Sequence, residues 1–301
     1  MIAVIGLVSI CIPAYKTRDL RLAIASALAQ TYEDTEVIVS DDSPASAVAD
    51  LCATFGGNVR YLKNWDRVGR GRGNIRNLIR ESKGKYIKFL CDDDFLAPHC
   101  VKELVNLAEQ TPSARLVASL RYYTDSEGNP QRVDNQLGIS HNTTMMGKDL
   151  VRFVGTTLIN PIGEITTPLL YRDDLFDASG EPWNFELDGT PFYGLGDVAL
   201  WIKLAQLGSV KIHAEPLSFF RYGHDSNSSP DYNPEFIYLI TDWFLVLRHI
   251  ARCGLLGAED LALGAARLRD LYQHWSDRFP QLGPLLAEAL SSLRQEFNIV
   301  C

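Results

Sequence analysis

The chain has 301 residues, of which 46% are hydrophobic, enough for one large domain or for a domain with an extension. Its formal net charge is −8 and it has no long basic run, which argues against a dedicated nucleic-acid-binding protein. The six cysteines form no C-x-x-C pair and have no histidine at the usual zinc spacing, so we expect reduced thiols in a cytosolic protein.

The first 120 residues alternate between strand and helix patterns. The apolar start has no basic region or cleavage site, so we expect it to lead into a strand rather than to be a signal peptide. Strands are predicted at residues 8–12, 36–40, 59–62, 86–90 and 114–120, with helices after Thr17 and up to Phe55, Ser82 and Glu109. This alternation predicts βαβ units in a mainly parallel sheet with helices on both faces.

The pattern is looser after residue 121. We predict a hairpin or loop at 125–130, helices at 149–154 and 197–207, strands at 164–171 and 210–213, and C-terminal helices at 236–250, 260–275 and 285–297. No segment has the uninterrupted apolar length of a transmembrane helix. The predicted organisation is an α/β domain over residues 1–230, divided at residue 120, with a helical extension over 231–301.

Three consecutive carboxylates, Asp92, Asp93 and Asp94, follow the strand at residues 86–90. Open α/β sheets bind ligands at the carboxyl ends of their strands. Adjacent carboxylates repel one another, and a hard divalent cation such as Mg²⁺ or Mn²⁺ relieves that repulsion while bridging to phosphates. A helix-capping cluster or a solvated turn is the alternative for the triplet alone.

Asp41 and Asp42 end the strand at residues 36–40 in the same way. Because parallel strands share a direction, both acidic clusters are expected on one rim of the sheet, where one could bind a base and the other a metal. The alternative is that this pair only starts a turn and caps a helix.

The Gly/Arg-rich stretch at residues 69–73 precedes a helix, and its backbone amides could approach a phosphate. It is not a G-x-G-x-x-G motif and no Walker lysine is present, so a dinucleotide-binding fold is not expected. We expect a flexible lip with Arg70, Arg72 or Arg76 near phosphate, and we include Asn77 with Arg76 among the donor-binding candidates.

Several ordered stretches carry a family pattern. They are VSICIPAY at 8–15, SALAQTY at 26–32, EVIVSDDS at 36–43, GKYIKFLCDDD at 84–94, GDVALWIKL at 196–204 and EPLSFFRYGH at 215–224. Together they resemble the family 2 glycosyltransferases over residues 7–229. The resemblance implies a GT-A fold that binds a nucleotide-sugar with a divalent metal (Mn²⁺ or Mg²⁺, through a D-x-D motif) and transfers the sugar with inversion.

The resemblance also implies roles for individual residues. Pro13, Ala14 and Tyr15 would border the base, and Asp41, with Asp42, would hydrogen-bond uracil or thymine. Asp93 would bind the metal at the diphosphate, with Asp94 as a further ligand candidate and Asp92 near the ribose or the metal. Asp197 would be the general base that takes the proton of the acceptor hydroxyl. From its place in the stretch 224–229 rather than from the resemblance, His224 is a third metal-ligand candidate that could reach the metal or the diphosphate when a loop closes; the alternative is a surface histidine.

Two positions depart from the family pattern. Cys91 stands where the first aspartate of D-x-D is usual, and Gly196 stands where many relatives have a glutamate beside the catalytic aspartate. These departures leave room for an inactive relative that acts as a sugar-binding or scaffolding subunit. A sugar nucleotidyltransferase is the rival enzyme, but residues 13–17 lack its Gly-rich, basic loop.

The predicted partners are a nucleotide-sugar, with UDP preferred on the family resemblance, and an acceptor. The expected acceptor is a glycan, a lipid-linked glycan, a protein or a small molecule, in bacterial-type surface glycan or glycoconjugate biosynthesis. Trp183 and Tyr193 could stack on sugar or pack in the core. The apolar helix at 236–250 could pack on the catalytic domain, form a homodimer contact or attach peripherally to the inner face of the membrane; its low basic content disfavours membrane attachment.

Overall fold

The computed structural model describes residues 4–65, 71–222 and 229–299. They form two compact units, each assembled from segments that are separate in the sequence. Unit 1 comprises Met1–Thr144, Ile162–Asn184 and Gly208–Gly223, and unit 2 comprises Met145–Pro161, Phe185–Leu207 and His224–Cys301. The two units are described separately below.

Unit 1 is built on a mixed sheet. Its strands are β1 (Val4–Ala14), β2 (Thr35–Asp41), β3 (Arg60–Lys63), β4 (Gly84–Phe89), β5 (Phe95–Leu96), β6 (Ala114–Thr124), β7 (Pro130–Asp134), β8 (Thr143–Met146), β9 (Leu169–Tyr171) and β12 (Ser209–Arg221). Its helices are α1 (Leu20–Leu28), α2 (Ala47–Ala53), α3 (Arg72–Glu81) and α4 (Cys100–Gln110). The main path of the sheet is β3-β2-β1-β4-β9-β6-β12-β5.

The first half of this sheet has the predicted parallel arrangement. β1 pairs in parallel with β2 and β4, and β2 pairs in parallel with β3. One core cluster joins Val8, Ile10 and Ile12 of β1 to the apolar faces of α1 and α4. Helix α3 contacts β1 and β2 outside that cluster, so helices cover both faces, as expected of βαβ units.

The second half departs from the parallel prediction. β9 runs antiparallel to both β4 and β6, whereas β12 runs parallel to β6. The predicted strand at 164–171 is wrong over residues 164–168, and only Leu169–Tyr171 is a strand. The carbonyls of Thr166 and Thr167 accept hydrogen bonds from the Lys88 ammonium, so they are not available to a neighbouring strand. The predicted hairpin is confirmed, since β6 and β7 pair antiparallel around it.

Unit 2 is mainly helical. Its elements are α5 (Gly147–Thr157), β10 (Glu186–Leu187), β11 (Thr190–Pro191), α6 (Gly196–Leu207), α7 (Ile237–Arg252), α8 (Ala258–Trp275) and α9 (Leu282–Phe297). Helix α5 packs against α6, α7 and α8, while α7 also packs against α8 and α9. The buried face of α7 includes Trp243, Val246 and Leu247, which explains its apolar sequence as core packing.

The predicted division at residue 230 differs from this grouping, because α5 and α6 precede residue 230 and lie with the C-terminal helices. Their packing partners come from later in the chain, which a reading along the sequence does not reveal. None of the described helices combines the length and the apolar character that crossing a membrane requires.

Candidate functional site

The carboxyl ends of β1, β2 and β4 meet at one rim of the unit 1 sheet. Ala14 is the register partner of Asp41, and the Asp42 amide donates a hydrogen bond to the Ala14 carbonyl at 2.9 Å. The Leu90 amide likewise donates to the Cys11 carbonyl at 3.0 Å. Parallel pairing therefore brings both acidic clusters to the same rim, as the sequence predicted.

Asp92 links the end of β4 to the turn after β1. Its Oδ2 accepts hydrogen bonds from the backbone amides of Tyr15 and Lys16 at 2.7 and 2.8 Å. Burial raises the pKa of Asp92, and these two amides partly offset the increase. Tyr15 leaves 59% of its side chain exposed, Pro13 is half-buried and Ala14 is buried. The three predicted base-bordering residues therefore lie beside Asp92.

Asp94 points into the protein. It is 1% exposed, and it accepts hydrogen bonds from the Thr166 hydroxyl at 2.7 Å and the Arg221 amide at 3.1 Å. The Thr166 hydroxyl also accepts a hydrogen bond from the Cys91 amide at 3.0 Å. Burial and the charge of Asp93 raise the pKa of Asp94 well above its usual value. This side chain therefore anchors the triplet as well as offering an oxygen to a metal.

Lys88, a residue of β4, holds the segment that binds Asp94. It is fully buried, and its ammonium donates hydrogen bonds to the Thr166 carbonyl and, at 3.0 Å, to the Thr167 carbonyl. Burial lowers the pKa of Lys88. Since Thr166 bonds Asp94, we assign Lys88 a positioning role in the acidic triplet. The signal in the sequence that could have identified Lys88 is a charged residue within the apolar stretch at residues 86–90.

Asp93, the middle member of the triplet, differs from Asp92 and Asp94 in its hydrogen bonding. Burial and the neighbouring charge of Asp92 raise the pKa of Asp93 to about 6. Among the described residues, no side chain of another residue donates a hydrogen bond to this carboxylate. A bound cation would relieve both the burial cost and the repulsion from Asp92.

The donor set around Asp93 fits a divalent metal. Ligand atoms of Cys91, Asp93 and Asp94 lie within 4.8 Å of one another. Two carboxylates suit Mg²⁺ or Mn²⁺, whereas a thiol suits softer ions. Burial and the charges of Asp94 and Asp93 raise the pKa of the Cys91 thiol well above its usual value, so the carboxylates are the better ligands here. His224, the third predicted ligand, lies outside the described residues, as does Arg70.

The Asp41 carboxylate is committed to the protein. It is fully buried and accepts hydrogen bonds from the Ser43 amide at 2.7 Å, the Tyr61 hydroxyl at 2.8 Å and the Lys63 ammonium at 2.9 Å. Burial alone would raise its pKa, but these hydrogen bonds together lower it. The geometry gives Asp41 a structural role, and its contact with a base stays a prediction.

Asp42 is better placed to meet a ligand. Its side chain is half-buried and accepts a hydrogen bond from the Asn64 amide at 3.1 Å. Its backbone is fixed by the bond to Ala14 described above. Of the two aspartates, Asp42 thus has the more accessible carboxylate, which reverses the order of preference that the sequence suggested.

The two predicted donor-binding residues of helix α3, Arg76 and Asn77, have different partners. Arg76 is ion-paired with Glu181 at 3.3 Å, and Asn77 donates a hydrogen bond to the Ser40 hydroxyl at 2.9 Å. Asn74, which the sequence analysis did not single out, is buried and donates to the Ala14 carbonyl at 3.3 Å. Asn74 and Asn77 therefore fix α3 to the rim, and phosphate binding by Arg76 stays a prediction.

Asp197 lies in unit 2, in the first turn of α6. Its Oδ2 accepts a hydrogen bond from the Asn160 amide at 2.9 Å, and its Oδ1 accepts one from the Val198 amide at 2.8 Å. The side chain is half-buried. These donors fix the orientation of the carboxylate, as a general base requires. Asn160 is a supporting residue whose role the sequence did not reveal.

The loop before α6 is held by Asp242 of α7. One oxygen of this buried carboxylate accepts hydrogen bonds from the amides of Tyr193, Gly194 and Leu195, at 2.8, 2.6 and 3.0 Å. A side chain at Gly194 would meet the Leu239 amide, because the ideal Cβ position is 2.3 Å from that nitrogen. These contacts fix the loop against α7. The loop ends at Leu195, two residues before Asp197.

The same region explains one departure from the family pattern. An ideal Cβ at Gly196 would lie 2.7 Å from Cδ1 of Phe185, so Phe185 occupies the space that a side chain there would need. Trp183 is buried, which favours core packing over sugar stacking. Tyr193 is 49% exposed and its ring centroid lies 5.5 Å from that of Tyr238.

The parallel half of the unit 1 sheet, with acidic residues at the carboxyl ends of its strands, is typical of α/β folds that bind ligands at that rim. The model of glycosyl transferase family 2 matches residues 9–176, more than half of the chain. The chain therefore belongs to glycosyl transferase family 2.

Curated relatives match over shorter stretches. The chain is 40% identical to an uncharacterised glycosyltransferase of Rickettsia bellii over 34% of this chain and 15% of that protein. It is 33% identical to the Escherichia coli UDP-Glc:alpha-D-GlcNAc-diphosphoundecaprenol beta-1,3-glucosyltransferase WfaP over 34% of this chain and 41% of WfaP. The first relatives are matched over only 15–36% of their own length.

Solved structures confirm the predicted fold class. S. aureus TarS 1–349 in complex with UDP-GlcNAc superposes with a TM-score of 0.68 over 96% of this chain and 81% of that one, at 14% sequence identity. TarS 1–349 in complex with UDP superposes with a TM-score of 0.58 over 90% and 72% of the two chains. At this identity the likeness concerns the fold alone.

Proposed function

We propose that this chain transfers a sugar from a UDP-sugar to a hydroxyl acceptor, with inversion and with the help of a divalent cation. The observation that carries the proposal is the Asp92 bridge to the turn after β1, which sets the available Asp93 carboxylate at the rim where such sheets bind ligands. Family membership supports glycosyl transfer, and the bound UDP and UDP-GlcNAc of the TarS structures support uridine as the base.

In this proposal Asp93 and Asp94 hold the cation, which would stabilise the charge that develops on the departing diphosphate. Asp42 accepts hydrogen bonds from the base, and Asp92 lies at the ribose or the metal. Asp197 accepts the proton of the attacking hydroxyl while Asn160 keeps its carboxylate oriented. The name of WfaP, which specifies a diphosphate-linked lipid acceptor, supports an acceptor in surface glycan biosynthesis.

Calorimetry with UDP tests the donor site. Wild-type protein is titrated in Mn²⁺, in Mg²⁺ and in EDTA, alongside Asp93→Ala and the control Asp173→Ala, which removes an exposed carboxylate in unit 1. Binding that needs metal and is lost only in Asp93→Ala supports the proposal. Metal-independent binding would move the metal role away from Asp93. An absence of UDP binding in every condition would contradict the UDP-sugar donor.

The proposed base is tested separately. Asp197→Asn keeps the size of the side chain and removes its charge, so we expect UDP binding to remain while sugar transfer falls by about 10²–10⁴-fold, the usual contribution of a general base. Asp270→Asn, at an exposed position of α8, is the control and should leave transfer unchanged. Transfer that persists in Asp197→Asn would assign the base to another residue.

A further inference from the structure

Unit 2 contains a cluster of metal-binding side chains that the proposed transfer reaction does not use. His249 Nδ1 lies 3.2 Å from Asp188 Oδ2, and His249 Nε2 lies 3.5 Å from Cys253 Sγ. One ligand atom from each of the three residues lies within 4.8 Å of the other two. Carboxylate, imidazole and thiol are together the three ligand types that zinc binds in proteins.

Local structure brings two of these ligands onto one helix face. His249 is in the last turn of α7, and Cys253 is the residue that follows the helix. Residues four apart lie one above the other on the same face of a helix, so both side chains point in one direction. A single His–Cys pair at this spacing matches neither a C-x-x-C motif nor a zinc-finger pattern, so the sequence alone does not reveal it.

The third ligand comes from the hairpin of β10 and β11. Its two connecting residues, Asp188 and Gly189, have φ values of 48° and 73°. Positive φ at both positions is typical of the tight turn that joins two short antiparallel strands, and aspartate tolerates it better than most residues do. The turn directs Asp188 at His249, although the two residues are far apart in the sequence.

The ligand atoms are close enough for one ion after a small side-chain movement. With Zn–N and Zn–O of about 2.0–2.1 Å and Zn–S of about 2.3 Å, tetrahedral neighbours are separated by roughly 3.3–3.6 Å. The two short distances here go to different imidazole nitrogens, Asp188 to Nδ1 and Cys253 to Nε2. Binding through one imidazole nitrogen requires the Asp188 or Cys253 side chain to turn toward it. Both have room to do so, since Asp188 is 80% exposed at its side chain and Cys253 is exposed.

Burial raises the pKa of the Cys253 thiol, and a bound metal would displace its proton. The Gln206 side-chain amide donates a hydrogen bond to Cys253 Sγ at 3.5 Å, a contact that would stabilise a sulfur anion. Arg252, the nearby cation, is ion-paired with Glu296 and does not compete as a ligand. A thiolate and a carboxylate together carry two negative charges, which balance a divalent ion.

We propose that Asp188, His249 and Cys253 form a zinc site with three protein ligands and water in the fourth position. The site would join the β10–β11 turn to the carboxyl end of α7. It differs in chemistry from the Cys91, Asp93 and Asp94 group, whose two carboxylates favour Mg²⁺ or Mn²⁺. It does not depend on the proposed transferase activity.

Co²⁺ binding distinguishes the proposed site at Cys253 from the group that contains Cys91. The full-length chain is stripped of metal and titrated with Co²⁺ and with Zn²⁺, and the thiolate-to-cobalt charge-transfer absorption and the bound zinc are measured. We expect one equivalent of zinc in the wild type, a charge-transfer band that zinc abolishes, and loss of both in Cys253→Ala. Cys91→Ala is the matched control and should keep both signals.

Asp188→Asn provides a variant at an exposed turn, where folding is not at risk. We expect it to weaken zinc affinity about tenfold or more, because a neutral amide is a poorer ligand than a carboxylate. Circular dichroism checks that each variant is folded. A wild-type chain that binds no zinc, or a band that is lost in Cys91→Ala and kept in Cys253→Ala, would overturn the proposal.

Discussion

At the scale of single residues, Asp93 gives the site a defined response to pH. Its pKa is about 6 in the folded protein, against an ordinary value of 3.8, because burial and Asp92 disfavour its charge. The folded state therefore holds this proton more tightly than the unfolded state does. It follows that Asp93 makes the metal-free protein less stable as the pH rises from about 4 to about 6.

A divalent cation should reverse that trend. We expect Mn²⁺ to raise the thermal unfolding temperature clearly above pH ~7 and little below pH ~5, because the metal must displace a proton from Asp93 at the lower pH. Below pH 6 the apparent Mn²⁺ affinity should fall at least tenfold per pH unit, because Asp93 must lose a proton and the buried Asp94 must lose one where it is protonated. Asp93→Asn should remove the part of this pH dependence that Asp93 contributes. An Mn²⁺ effect that is equal at both pH values would contradict the assignment.

Asn160 offers a second test at this scale. Asn160→Ala removes the amide that donates to Asp197 Oδ2, so the carboxylate loses an orienting hydrogen bond. We expect kcat for sugar transfer to fall about tenfold, with little change in the KM for the donor, since a charge-assisted hydrogen bond contributes about 1.5–3 kcal/mol. Steady-state kinetics measures both constants.

Asn58→Ala is the control for that variant. Asn58 is exposed in unit 1, where its amide bonds a backbone carbonyl. This substitution should leave both constants unchanged. A larger effect on KM than on kcat in Asn160→Ala would mean that Asn160 acts on binding rather than on the proposed base.

At the scale of elements, the loop from Tyr193 to Leu195 depends on one side chain of α7. Asp242→Ala removes the acceptor of three backbone amides in a buried place, so we expect a loss of about 2–4 kcal/mol in the free energy of unfolding. Because this loop leads into α6, transfer activity should fall further than UDP binding. Chemical denaturation and calorimetry measure the two effects.

Asp242→Asn tests whether the hydrogen bonds cause these losses. The asparagine amide oxygen can still accept hydrogen bonds, so this variant should recover part of the lost stability and part of the lost transfer activity. Asp270→Ala, on the exposed face of α8, should change stability by less than about 0.5 kcal/mol. Equal activity in Asp242→Ala and the wild type would show that α6 keeps its place without this contact.

At the scale of the whole molecule, the helices after residue 230 are part of a core rather than an appendage. Helix α5 packs against α7 and α8, and α7 buries Trp243, Val246 and Leu247. We expect a chain that ends at residue 230 to lose cooperative thermal unfolding, because α5 is left with an exposed apolar face. Calorimetry and ANS binding compare it with the full chain. Cooperative unfolding of the shortened chain would favour the domain boundary at residue 230 that the sequence predicts.

The sequence alone determined the features that depend on local pattern. Alternating periodicities placed β1–β4 and α1–α4, and the position of acidic residues after strands placed Asp42 and Asp92 at one rim, because parallel strands must share a direction. The ordered motifs were sufficient to identify the family. These inferences needed only the neighbours of each residue along the chain.

The tertiary structure decided which of those residues have partners. Asp41 pairs with Lys63 from the neighbouring strand, and Asp94 accepts a hydrogen bond from Thr166 in a distant loop. Asp93 accepts none from the side chain of any other described residue. The three ligands of the proposed zinc site likewise meet only through folding. Hydrogen bonding and burial between distant segments set the charge and the accessibility of a side chain, and sequence periodicity carries no record of them.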